Sequence, residues 1–358
     1  MSKGSRYGYS TMLFILCNVH YRMKSPLKHR GLALLPLLLL AGCNTVVMNP
    51  SGDIAAQQAR LVVVSTLLML LIVVPVIALT LFFAWKYRQS NTEAKYEPDW
   101  DHSTKLELVI WGAPLLIIIV LGLLTWISTH QLDPYRPLSR LDEKRPLSAN
   151  VKPLEVQVVA LDWKWLFIYP EQGIATVNEL VTPIDVPVRY KITASSVMNA
   201  FYVPALAGMI YAMPGMETQL NAVINKPGVY DGFSANYSGA GFSHMRFKYH
   251  GVSGADFEQW VAKVKASGTA GTSVLDRSNY QVLEKPSEKE PVRYYSAVSA
   301  DLYDAVLNRC VGDGATCLNK MMADDIVRAK TAAELCNTPT APIATPNLSL
   351  KSNNATRY

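Results

Sequence analysis

Between Cys43 and Cys310 the chain has no cysteine, which excludes thiolate metal sites, zinc knuckles and disulfides from its entire central region. Nearly all its long apolar runs lie before residue 130, so the remainder reads as a water-facing domain. Charge is sparse too: 17% of residues are charged and the net charge of +6 is spread without a block of Lys and Arg. With no nucleic-acid motif beside it, that excess gives no support to a DNA or RNA partner and fits a membrane surface better. No internal repeat is present.

Apolar residues dominate instead. Half of the 358 residues are hydrophobic, too many for an ordinary soluble enzyme, so part of the chain must sit in lipid. The cysteines are Cys17, Cys43, Cys310, Cys317 and Cys336. Cys310 and Cys317 are spaced to close a small loop in an oxidising compartment, leaving Cys336 odd; free thiols are the other reading.

Lys24, Lys28 and Arg30 precede the uncharged run Gly31 to Leu40, which ends in Leu40-Ala41-Gly42-Cys43. A charged start, an apolar core and small residues before a cysteine resemble a bacterial lipoprotein signal over 1–42, with Cys43 the lipidated first residue of the mature chain. Residues before Met23 fit neither signal nor fold, and Met23 is an alternative start.

Two uncharged runs come next, Leu61 to Trp85 and Leu108 to Thr129. Each exceeds the roughly 20 residues that a helix needs to cross a hydrocarbon core. Pro75 and Pro114 lie inside them, as lipid tolerates. Within 43–130 the runs form a hairpin with spans at about 61–86 and 107–129. Its connecting loop carries Lys86, Arg88, Lys95 and Lys105, so the positive-inside rule puts the loop in the cytoplasm and both outer ends in the periplasm. A lipidated Cys43 requires the same side.

Over 131–273 short β-rich runs, such as Val156 to Leu161 and Val186 to Thr193, alternate with Pro, Gly and Asn, which predicts an all-β sandwich. Phe257, Trp260, Val261 and Val264 make one apolar stripe and predict a terminal helix. Ser267 to Ser273 reads as a linker, 274–336 as an arm that is helical from Pro291 to Ala333, and 337–358 as a disordered tail.

A two-span hairpin before a periplasmic β-domain resembles subunit II of haem–copper oxidases. Asp162-Trp163-Lys164-Trp165 matches that family's aromatic run, and Gly228 to Met245 matches the stretch that carries the spacing C-x-E-x-C-x3-H-x2-M in cytochrome c oxidases. There, with one histidine upstream, it binds the dinuclear copper centre CuA, whose thiolates, imidazoles and thioether suit copper. Here the frame stays and the ligands go: Ser234 and Ser238 stand for the cysteines, Asn236 for the glutamate, Phe242 for the histidine and Asn199 for the upstream histidine, leaving Met245. His244 and His250 offer no substitute and read as surface histidines.

Loss of CuA on this frame resembles the bo-type quinol oxidases, as do Phe83-Ala84-Trp85-Lys86-Tyr87-Arg88 and Tyr211-Ala212-Met213-Pro214-Gly215-Met216; the likeness spans roughly Leu40 to Lys265. It implies a cupredoxin-like domain, no cofactor in this chain, haems and copper in a partner subunit I, smaller membrane subunits alongside, and no cytochrome c partner. It implies a proton-pumping enzyme that reduces oxygen with quinol, in the bacterial inner membrane, with this chain as scaffold and proton-path wall. It also places Glu107 at the mouth of a proton path. A stand-alone lipoprotein using a cupredoxin-like domain for binding is the alternative.

Overall fold

The computed structural model describes residues 45–95, 97–148, 151–267, 274–312 and 314–337. Cys43 and the signal segment lie outside them, as do the tail beyond Asn337 and most of the Ser267–Ser273 linker. Two long helices come first, α1 (Asp53–Lys86) and α2 (Thr104–Gln131). Their most apolar windows have mean hydropathy 3.0 and 2.6, and Leu71, Leu81, Leu108 and Trp111 point outward with no protein over them. Water would penalise such a surface at about 25 cal/mol per Å²; hydrocarbon does not, so the hairpin anchors the chain in a membrane. Thr66, Thr80, Thr125 and Thr129 each donate their hydroxyl to the carbonyl four residues back, so none is unsatisfied in lipid.

α1 starts well before the span expected at about residue 61. Its 34 residues make a rod of roughly 50 Å, longer than a core of about 30 Å requires. The surplus is a post that enters the β-domain. Asp53, Ala55 and Ala59 are buried, Gly52 bridges to Ile224, and the Asp53 carboxylate accepts Arg140 Nε at 3.0 Å and Gln57 Nε2 at 2.7 Å. A polar first turn hid this segment from a reading based on apolar runs.

The β-domain is a sandwich. One sheet has the order β10-β7-β3-β4-β5-β14 and the other β6-β12-β11-β8-β9, where β3 is Leu154–Leu161, β4 Lys164–Tyr169, β5 Ile174–Val177, β6 Glu179–Pro183, β7 Val188–Ala194, β8 Asn199–Tyr202, β9 Ile210–Ala212, β10 Thr218–Ala222, β11 Gly228–Ser234, β12 Arg246–Val252 and β14 Arg293–Tyr295. A small hairpin, β1 (Arg140–Asp142) and β2 (Arg145–Pro146), precedes it. Side chains alternate between faces. Trp165, Phe167 and Tyr169 of β4 point into the sandwich with Val156, Val158, Phe201 and Phe247. α3 (Gly254–Ala266) buries Phe257, Val261 and Val264 on that core.

The opposite face of β4 is covered as well. Leu166 and Ile168 join Val159, Leu161 and Val177 in a second core closed by Leu275, Tyr280, Leu283, Tyr295, Tyr303 and Val306. Those lids come from β13 (Val274–Leu275), α4 (Arg277–Glu284), β14 and α5 (Leu302–Leu307) of the arm, which also holds β15 (Ala297–Val298) and α6 (Leu318–Asn337). The arm is therefore less helical than expected. Arg293 to Tyr295 pairs with β5 and completes the sheet. Lys164 is buried beneath it, its ammonium donating to the Lys285 carbonyl and to Ser287 Oγ, both at 2.7 Å. Burial pushes that ammonium below its usual range, and the nearby Glu290 opposes the shift.

Cys310 and Cys317 form a disulfide that ties the end of α5 to the start of α6. Closing so short a loop is worth about 2.5 kcal/mol by chain entropy. Cys310→Ser with Cys317→Ser is expected to free α6 without opening the sandwich. Limited proteolysis should then cut near residue 318 several times faster, while the β-domain stays resistant.

Candidate functional site

Of the positions that the resemblance sets against copper ligands, Ser234, Asn199 and Met245 come to one end of the second sheet, because β11 pairs with β8, placing Ser234 opposite Phe201 and two residues from Asn199, and with β12, which begins just after Met245. Ser234 and Asn199 are buried. Ser234 Oγ lies 3.0 Å from Asn199 Oδ1 and 3.2 Å from the Asn236 carbonyl, and accepts the Ala200 N–H at 3.3 Å. Asn199 Nδ2 donates to the Val197 carbonyl at 3.1 Å, and Asn236 Nδ2 donates to the Met198 carbonyl at 3.1 Å. The loop is thus held by neutral hydrogen bonds among Ser234, Asn199, Asn236 and the backbone. Ser238 does not join them: its hydroxyl is buried with no partner among the described residues, while its carbonyl accepts the indole N–H of Trp163 at 3.1 Å.

Trp163 holds this loop from outside, a contact that ligand spacing does not reveal. It sits at φ +66°, a left-handed conformation uncommon for an aromatic residue. Its ring covers the loop where Gly241 leaves no side chain in the way: a Cβ there would lie 2.5 Å from Trp163 Cδ2. The same economy operates at Gly232, where a Cβ would sit 2.1 Å from the Phe247 ring. Phe242 packs edge-on against Tyr237, with ring centres 5.5 Å apart. Met245 turns into the hydrophobic core.

These residues do not fit a dinuclear copper centre. Hydroxyls and amides are harder donors than thiolates and cannot bridge two coppers as thiolates do, and the buried hydroxyl of Ser234 is already committed to Asn199. Among the described residues no three of His, Cys, Asp and Glu come together as a metal would require. His244 lies in a single 3-10 turn, Phe242–His244, and is exposed. His250 is half-buried on β12, its Nε2 3.6 Å from Glu179.

Glu107 stands apart from this loop, in the first turn of α2 at the other end of the hairpin. Its carboxylate lies 2.7 Å from His102 Nδ1, whose Nε2 is 3.1 Å from Thr104 Oγ1. Its partner is therefore the histidine that precedes the helix.

Residues 155–252 match the family profile "Cytochrome C oxidase subunit II, periplasmic domain", and residues 269–314 match "COX Aromatic Rich Motif". With the anchoring hairpin and the hydrogen-bonded loop, the sandwich defines a class: the subunit II of haem–copper oxidases. The chain is 52% identical to the cytochrome bo(3) ubiquinol oxidase subunit 2 of Pseudomonas aeruginosa over 78% of this chain and 81% of that one. It is 51% identical to the ubiquinol oxidase subunit 2 of Acetobacter aceti over 75% and 84%, and 38% identical to the quinol oxidase subunit 2 of Bacillus cereus over 71% and 85%. The chain belongs to the quinol oxidase subunit 2 family. The second profile carries the likeness beyond Lys265 and through Cys310, and its buried tyrosines, Tyr280, Tyr295 and Tyr303, are those that close the second core.

Proposed function

We propose that this chain is the non-catalytic second subunit of a proton-translocating quinol oxidase that reduces oxygen to water. Quinol delivers its electrons from within the membrane, so no periplasmic copper relay and no soluble cytochrome c are needed. One observation carries the reading: an intact cupredoxin-like frame whose copper loop is closed by Ser234, Asn199 and Asn236. Haems and the oxygen-reducing copper then belong to a partner subunit I, with smaller membrane subunits beside it, and Glu107 serves as the mouth of a proton path into that partner. The setting is a bacterial inner membrane with the sandwich in the periplasm and Cys43 lipidated. Because two spans already hold the chain, lipid on Cys43 adds orientation more than anchorage.

A tag on the natively expressed chain should bring down a multispan, haem-containing partner with a reduced-minus-oxidised haem spectrum. Recovery of the chain alone from membranes that contain the oxidase would sink the reading. Mass spectrometry of the mature N-terminus tests the lipid, and an unmodified chain starting elsewhere removes it from the account. The purified full chain is expected to hold no stoichiometric copper; near-infrared absorption from a thiolate-bridged pair would overturn that.

A further inference from the structure

At the periplasmic end of the hairpin, two adjoining clefts of about 250 and 230 Å³ open between α1, α2 and the segment leading to β1. Their walls change character along the hairpin axis. On the domain side stand Asp133, Arg136 and Gln131; on the membrane side stand Leu61, Val64 and Leu124. Leu61 opens the first uncharged run and Thr129 closes the second, so the polar wall lies at headgroup height and the apolar wall at acyl height.

The charges at this level are not all committed. Arg60 is paired with Glu143 and Arg140 with Asp53. Arg136, by contrast, donates only to the His130 carbonyl, at 3.3 Å, and Asp133 accepts only the Tyr135 N–H through its side chain, at 3.0 Å. Among the described residues neither has an ion-pair partner. A guanidinium and a carboxylate three residues apart, both facing one cleft, complement a headgroup with a phosphate and a primary ammonium.

We propose that this cleft is a phospholipid site for a phosphoethanolamine headgroup, with phosphate on Arg136, ammonium on Asp133 and an acyl chain lying along Leu61, Val64 and Leu124. The inference rests on the hairpin being embedded as proposed above, and the two are separable. The full chain, in its complex, is extracted from membranes in mild detergent, and phosphatidylethanolamine and phosphatidylglycerol that remain bound are measured by mass spectrometry. Wild type is expected to retain phosphatidylethanolamine in preference to phosphatidylglycerol. Arg136→Gln and Asp133→Asn should each lower that retention by about fivefold, and Arg136→Lys should keep most of it. Equal retention in wild type and variants overturns the site, as does equal retention of both lipids or a cleft filled by a partner subunit in place of lipid. Alkaline carbonate extraction is run in parallel: release of the chain would overturn the embedded reading, whereas an embedded chain without bound phosphatidylethanolamine overturns the site alone.

Discussion

Trp165→Ala is expected to destabilise the β-sandwich by about 3–5 kcal/mol, the range for truncating a large buried aromatic residue. Trp165 is fully buried, its ring edge-on to Phe201 at 5.6 Å and to Phe247 at 5.8 Å, and those two rings stack on each other at 5.5 Å. No neighbour is free to fill the space, because both phenyl rings are themselves held between the sheets. Trp165→Phe should cost far less, since it keeps most of the volume and removes an indole N–H that has no partner among the described residues. Thermal unfolding of the detergent-solubilised chain, followed by near-ultraviolet circular dichroism, measures both. Equal losses for the two variants would mean that the indole nitrogen, not the volume, carries the stability.

Trp163→Ala makes the contrast, because that ring lies over the loop rather than inside the core. Its removal uncovers Gly239 and Gly241 and frees the Ser238 carbonyl. The expected result is faster proteolysis within residues 236–241 and little change in the main unfolding transition.

The sandwich was legible in the sequence because its strands are short, separated by turn residues and matched by the aromatic run at residues 162–165. The positions that stand for copper ligands could be named only through the family resemblance, since serines, asparagines and a phenylalanine carry no metal signal of their own; in the structure Ser234, Asn199 and Asn236 share one hydrogen-bonded network. Two features were harder to read. The first turns of α1 are polar, so a search for uncharged runs begins at Leu61 and misses the buried contact of Asp53 with Arg140. The arm lacks any long periodic segment around β14, and three residues of edge strand leave little signal. A clue was present in β4, where Trp165 to Tyr169 is apolar at every position: such a run implies burial on both faces, and the arm is what covers the second one. Lys164, polar at the start of that run, is explained only by carbonyl and hydroxyl partners more than a hundred residues away.

Glu107→Gln is expected to slow oxygen reduction in the assembled complex by about tenfold, a rise of about 1.4 kcal/mol in the barrier, without loss of haem or of the partner subunit. Gln keeps the size and polarity of the side chain but cannot take up and release a proton. The position favours a collector: the carboxylate lies in the first turn of α2, where the helix dipole supports negative charge, at the end of the hairpin that carries the basic loop. His102 adds a second exchangeable site 2.7 Å away. If the pair gathers protons together, His102→Ala should give a smaller loss that grows as the pH rises and protons become scarce, while Glu107→Asp should retain part of the rate. Steady-state oxygen consumption across pH, normalised to haem, checks all three variants. A Glu107→Gln complex with full haem content and unchanged turnover at every pH would reduce the residue to a flanking charge that His102 holds at the membrane surface.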